Sequence, residues 1–207
     1  MKQVDKGAYE FRHYLHLDRW QSYYYQLQTV FDLGRSSVLE VGVGDKVLAE
    51  YLKNNTNIKY TGVDVAEDLH PDVVASVEKL PFPDGSFDLV CAFEVLEHLP
   101  FEAFVPALLE MSRVGKGLLV ISLPHFGPSL KFSFKLPFCG EVSWAFKIPW
   151  PRRHVWNGQH YWEIGKKGYS ISKIRSLIGR HFKIKRDFIP FGNQYHHFFV
   201  LEKHDHA

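Results

Sequence analysis

Val38-Leu39-Glu40-Val41-Gly42-Val43-Gly44-Asp45-Lys46 is the stretch whose reading decides the fold. An apolar run over 38–41 carries one acid, Glu40, and ends in two glycines, Gly42 and Gly44. A helix-like pattern follows over 47–53. The order predicts strand, glycine turn, helix. Glycine lets a backbone pass close to a ligand. The first turn of a helix offers unpaired N–H groups to a polar or anionic group. An adenosine-containing cofactor is the expected occupant, and an acid about one βα unit further on, Asp64, ends a second apolar segment.

Outward from that turn, strand signals alternate with helical ones. Strands are expected at 38–41, 58–63, 73–75, 87–93 and 118–122, with helices at 47–53 and 101–113. Alternation of this kind argues for a parallel sheet with helices on both faces. Residues 8–33 contain no Gly or Pro and read as one or two helices preceding the sheet. Ser170 reads as the N-cap of a helix carrying Ile171, Ile174, Leu177 and Ile178. Two consecutive strands, 182–189 and 196–202, then suggest an antiparallel hairpin that closes the sheet. The expectation is one domain with a Rossmann-like, mostly parallel seven-stranded α/β sheet. It divides into an N-terminal helical segment (1–35), a cofactor-binding core (36–123), a substrate-cap insert (124–167) and a C-terminal helix and hairpin (168–207).

Composition bounds the function. Of 207 residues, 45% are hydrophobic, enough for a real core. Aromatics reach 15%, with 17 Phe, which points to a large apolar pocket or surface as well. A net charge of +2 lacks the positive excess of a nucleic-acid binder, so no nucleic-acid partner is expected. Cys91 and Cys139 cannot form a disulfide framework, and Cys91 in its apolar run reads as a small core residue. No apolar stretch follows Met1 and none approaches about 18 residues, so neither a secretory signal nor a transmembrane span is expected. A cytoplasmic location follows by default.

Two cofactor classes fit Glu-x-Gly-x-Gly. A nicotinamide dinucleotide favours a third glycine for close helix packing, and Val47 stands there instead. That disfavours an NAD-dependent oxidoreductase. The alternative is S-adenosylmethionine, whose ribose hydroxyls a strand-end carboxylate such as Asp64 accepts through charge-assisted bonds. A third element is Val77-Glu78-Lys79-Leu80-Pro81-Phe82-Pro83-Asp84-Gly85, running on through a strand into Phe93-Glu94-Val95-Leu96-Glu97-His98-Leu99-Pro100. Together and in this order, these strings resemble the class I S-adenosylmethionine-dependent methyltransferases, in particular the small Rossmann-like type 11 group, over about residues 36–123.

The resemblance implies methyl transfer to an acceptor that it does not identify, expected to be small or apolar/aromatic. It assigns Glu40, Gly42 and Gly44 to the turn under the methionine part and Asp64 to the ribose. It assigns Val77 and Glu78 to the adenine edge, and Phe93 and Glu94 to the segment beside the transferable methyl. The sequence departs from the family at Lys46, where Gly is frequent, and at Ser76, where Asp is frequent. A non-catalytic cofactor-binding module that regulates or scaffolds a partner is the competing reading.

His125, at the end of the fifth strand, and His160 are the candidate general bases. No metal is expected. The alternative is a divalent cation held by Glu94, Glu97, His98 and His160, since positions three apart share a helical face. The stretch 124–167 interleaves Phe, Trp and Tyr with Lys131, Lys135, Lys147, Arg152 and Arg153, against the single acid Glu141 before residue 163. It reads as a lid over an apolar substrate, a membrane-touching surface, a stacking surface for single strands, or a cap packed on the core with its basic residues outside. Period-two alternation over 131–135 places Phe132 and Phe134 on one face of a strand.

Overall fold

The computed structural model describes residues 6–138 and 140–204, so Cys139 lies outside the described residues. Helices α1 (Phe11–Tyr14) and α2 (Leu17–Asp32) precede β1 (Ser37–Val41) and α3 (Val47–Asn55). Strands β2 (Lys59–Asp64), β3 (Val73–Val74) and β4 (Leu89–Phe93) follow, then α4 (Phe104–Val114) and β5 (Leu118–Pro124). The hairpin β6 (Ser129–Lys135) and β7 (Glu141–Lys147) comes next, and α5 (Ile171–Gly179), β8 (Phe182–Phe188) and β9 (His196–Lys203) complete the chain.

Seven strands form one sheet in the order β3-β2-β1-β4-β5-β9-β8. β3, β2, β1, β4 and β5 run parallel, and β9 enters antiparallel between β5 and β8. Side-chain alternation along the strands splits the core in two. Leu39, Val41, Val90, Ala92, Leu119 and Ile121 pack with Phe104, Leu108, Ile174 and Ile178 of α4 and α5. Val38, Leu89, Cys91, Val120, Phe198 and Val200 pack with Val30, Leu48 and Leu52 of α2 and α3. Both faces are covered, which is why the central strands read as continuous apolar runs. Ser170 caps α5 as the sequence predicts, its side chain accepting the Lys173 N–H.

The insert is where structure and expectation part. Its end is stitched to its beginning: Ile164 N donates to Pro124 O at 3.0 Å, and Phe126 N to Ile164 O at 2.8 Å. Trp162 and Ile164 belong to the core. β6 and β7, however, form a separate two-stranded sheet. Its pairing sets Leu130 against Phe146, Phe132 against Trp144 and Phe134 against Val142, all on one face. That face is not packed on the core: Phe132 is 55% and Trp144 61% exposed. The shared face of Phe132 and Phe134 is correct; the cap packed on the core is not what these residues build.

Candidate cofactor and active site

Strand order reverses between β1 and β4, so the loops after these two strands diverge and leave a crevice at their carboxyl ends. A cavity of about 300 Å³ occupies it. That volume lies at the lower end of the range for small-molecule sites. Gly42 and Gly44 form its floor, Asp64 stands on the β2 side, Val77 and Glu78 on the β3 side, and Phe93 and Glu94 at the end of β4.

Each wall has a local cause. Gly42 holds φ at +82°, and a Cβ there would meet Val95 Cγ2 at 2.3 Å, so only glycine leaves the floor open. Lys46 caps α3 with φ at +66°, the left-handed region that glycine adopts most readily. Its Nζ donates to His70 O at 2.8 Å and ties the loop to the segment after β2. Asp64 accepts from Val43 N at 3.0 Å and from Ala66 N at 2.9 Å, which fixes its carboxylate toward the glycine turn. Ser76 lines the cavity and accepts the Glu78 N–H at 3.2 Å. Glu94 itself has φ at +57°, a conformation that costs a non-glycine residue about 1–3 kcal/mol.

One assigned residue points elsewhere. Alternation on β1 puts Glu40 on the face of Val38, where it accepts a bond from the Tyr60 hydroxyl instead of lining the cavity. Burial pushes its carboxyl up to about 8 despite that bond.

Sequence reading missed two rings. Tyr9 and Tyr14, from the turn before α1 and from α1, line the cavity from the N-terminal side and meet edge to face at 4.8 Å. Behind them Arg19 lies over the Tyr14 ring at 4.5 Å, and its Nε is buried with no hydrogen-bond partner among the described residues. Burial pushes the Glu94 carboxyl up to about 8, and the charge of Arg19 opposes that rise. Glu94 Oε1 is likewise buried without a partner, while Oε2 lies 3.5 Å from His196 Nε2.

His125 lies outside the cavity wall. Its Nδ1 meets His197 Nδ1 at 2.9 Å, His197 Nε2 meets Asp187, and Asp187 pairs with Arg175 at 2.6 Å. Burial pulls the His125 ring down to about 3, with His197, Lys147 and Arg175 adding to the fall and Asp187 opposing it. Burial also holds His196 well below its ordinary value. Both rings stay neutral when folded and gain protons on unfolding once the pH drops below about 6.5. Stability from His125 is full above that pH and falls toward pH 3, and His196 acts in the same direction. Denaturant midpoints at pH 7.5 and 5.5, compared between the wild type and His125→Phe, separate this loss from the opposite pull of the raised Glu40 and Glu94 carboxyls: the wild type should lose more stability on acidification than the variant.

Glu97, His98 and His160 come together, with one ligand atom from each within 4.8 Å of the others. Glu94 is not one of the three. His98 bonds Gln159 O at 3.1 Å, and Tyr161 N donates to Glu97 O at 2.9 Å. The insert is thereby fastened to the turn after β4. His160 sits behind His98, rings 5.1 Å apart, with its Nδ1 on Glu163 at 3.1 Å. His98 and Tyr161 line the cavity; His160 stands one layer back.

Comparison with known proteins follows the same lines. A family model described as a methyltransferase domain matches residues 39–121. No curated protein matches the chain. Among solved structures, the 1,6-didemethyltoxoflavin-N1-methyltransferase of Burkholderia thailandensis is 16% identical with a TM-score of 0.61, over 91% of this chain and 79% of that one. The magnesium protoporphyrin IX methyltransferase of Synechocystis PCC 6803 with bound S-adenosylhomocysteine is 15% identical with a TM-score of 0.61, over 99% and 90%. The PH0226 protein of Pyrococcus horikoshii OT3 is 14% identical with a TM-score of 0.60, over 96% and 94%. At these identities the likeness is one of fold. The match spans the glycine turn, Asp64 and the segment after β4, and over these residues the chain is similar to methyltransferase domains.

Proposed function

We propose that the protein transfers a methyl group from S-adenosylmethionine to a small apolar or aromatic acceptor. The observation that carries this reading is the crevice itself. Gly42, where a Cβ would collide with Val95, a carboxylate fixed at the end of β2 and Glu94, whose Oε1 is buried without a partner among the described residues, all line one cavity, with Arg19 stacked behind its Tyr14 wall. These features fit an adenosine, a ribose and a charged amino-acid tail.

When bound, the cofactor supplies an activated methyl: the acceptor atom bonds the methyl carbon as the carbon–sulfur bond breaks and S-adenosylhomocysteine remains. Asp64 accepts the ribose hydroxyls, and Val77 and Glu78 flank the adenine. Arg19, stacked on the Tyr14 ring that lines the cavity, would supply the cation for the methionine carboxylate. Phe93 and Glu94 border the methyl. The chain's main contribution is alignment, which supplies on the order of 7–11 kcal/mol in well-oriented reactions. His160, oriented by Glu163, is the base candidate left near the site, whereas His125 is engaged with His197. The insert 124–167 reaches the cavity through Tyr161 and serves as its substrate-side wall. Incubation with methyl-labelled cofactor and cell extract tests the reading. Label in a small acceptor supports it, and cofactor binding without transfer to any acceptor favours the regulatory module.

A second reading has one observation behind it. The Glu97 carboxylate is fully buried and neither oxygen has a hydrogen-bond partner among the described residues. His160 Nε2 lies 4.0 Å away. Two imidazoles and a carboxylate suit a divalent transition metal, which would orient an acceptor oxygen beside His98. Equilibrium dialysis against Zn²⁺ or Mn²⁺ checks this. About one ion per chain that Glu97→Gln abolishes supports the site, and no retained ion removes it.

A further inference from the structure

We infer that the outer face of the β6–β7 hairpin is a docking surface for a bilayer containing anionic phospholipids. Leu130, Phe132, Phe134, Trp144 and Phe146 occupy that single face, all of them exposed. Monomeric proteins seldom leave so large an apolar patch in water without a use for it.

The hairpin is joined to the body at its base. Lys147, on its other face, donates to Gly127 O at 2.8 Å, and Lys131 lies over the Phe191 ring at 5.7 Å. These contacts tie the hairpin to the body near its base, while Lys131 and Lys135 stay exposed along the edge of the aromatic face. Beyond β7, Ile148 and Trp150 extend the apolar surface, with exposed Arg152 and Arg153 beside them. Between residues 124 and 162 five cations, Lys131, Lys135, Lys147, Arg152 and Arg153, stand against one acid, Glu141.

That chemistry selects the occupant. Trp and Phe with Lys and Arg at the margin match the headgroup–acyl boundary of an anionic bilayer. Leu130 and Ile148 have no π-face for a nucleic-acid base to stack on, and insert readily among acyl chains. A second copy would set this cation-rich stretch against itself. The same insert reaches the site: exposed Trp156 and Tyr161 have rings 4.5 Å apart, and Tyr161 lines the cavity. Resting on the proposed methyl transfer, the acceptor class is then an amphiphile that partitions into the bilayer.

Co-sedimentation of the full chain with phosphatidylcholine vesicles, with and without phosphatidylglycerol, tests the surface. The protein should pellet with the phosphatidylglycerol vesicles, more weakly at high salt, and little with phosphatidylcholine alone. Phe132→Ser combined with Trp144→Ser should lower that binding at least about tenfold, with thermal unfolding and S-adenosylhomocysteine affinity unchanged. No binding to the anionic vesicles, or equal binding by the variant, overturns the inference. So does a light-scattering mass showing a dimer that the variant dissolves, or retention of a single-stranded oligonucleotide in preference to vesicles. Vesicle binding is read without methyl transfer, so failure of the enzymatic reading leaves this result intact.

Discussion

Asp64→Ala is expected to weaken S-adenosylhomocysteine binding by about 3 kcal/mol, about a hundredfold, because two bonds from a charged acceptor to the ribose are lost. The same carboxylate also receives Val43 N and Ala66 N, so its removal loosens the glycine turn as well. Asp64→Asn separates the two contributions. It keeps one acceptor oxygen and should recover part of the turn without the full ribose affinity. Titration calorimetry gives the affinities, and a thermal scan without ligand gives the loss in the fold. Unchanged affinity in Asp64→Ala would remove this residue from the ribose.

Trp162→Ala is expected to cost about 3–5 kcal/mol of stability, the range for deleting a large buried aromatic side chain. Trp162 is fully buried, edge to face with Phe101 and Phe104 at 5.0 Å each, and it packs against Tyr169. It anchors the segment carrying His160 and Tyr161 onto α4, so the lesion should also lower activity. Its Nε1 is buried without a hydrogen-bond partner among the described residues. Trp162→Phe discards that donor and keeps most of the packing, so its cost should stay below about 1.5 kcal/mol. Denaturant unfolding of the two variants checks the ordering.

The core was legible because each of its elements announces itself locally. Apolar runs gave β1, β2, β4 and β5, the glycine pair gave the turn into α3, and Ser170 gave the start of α5. The predicted strand at 87–93 begins two residues later, at Leu89, because Phe87 pairs only with Gly115 in an isolated bridge. Alternation in 131–135 revealed a strand and the side its rings share. It said nothing of what that side would meet, since period two fixes a face and not its neighbour. The partner strand β7 alternates too, with Val142, Trp144 and Phe146, but Pro149 and Pro151 follow closely and hide it in a loop-like context.

Within the site, residues on the loops after β1, β2 and β4 were readable from their motifs. Those arriving from afar were not. Tyr9 and Tyr14 reach the cavity only because α1 and α2 fold back over the glycine turn, a docking that no short-range pattern encodes. His125 sits at a strand end that usually faces ligand, yet its ring is captured by His197, 72 residues on. Glu40 was assigned by motif, while strand alternation sends its side chain to Tyr60. The approach of His160 to Glu97 depends on the return of the insert to β5, a tertiary contact made through Pro124 and Ile164.

The most direct test of the central claim is calorimetric titration of the wild-type protein with S-adenosylhomocysteine, with NADH as the comparison ligand. The crevice between β1 and β4 predicts saturable binding of one molecule of S-adenosylhomocysteine per chain and none of NADH. Absence of heat and of thermal protection with S-adenosylhomocysteine would contradict it.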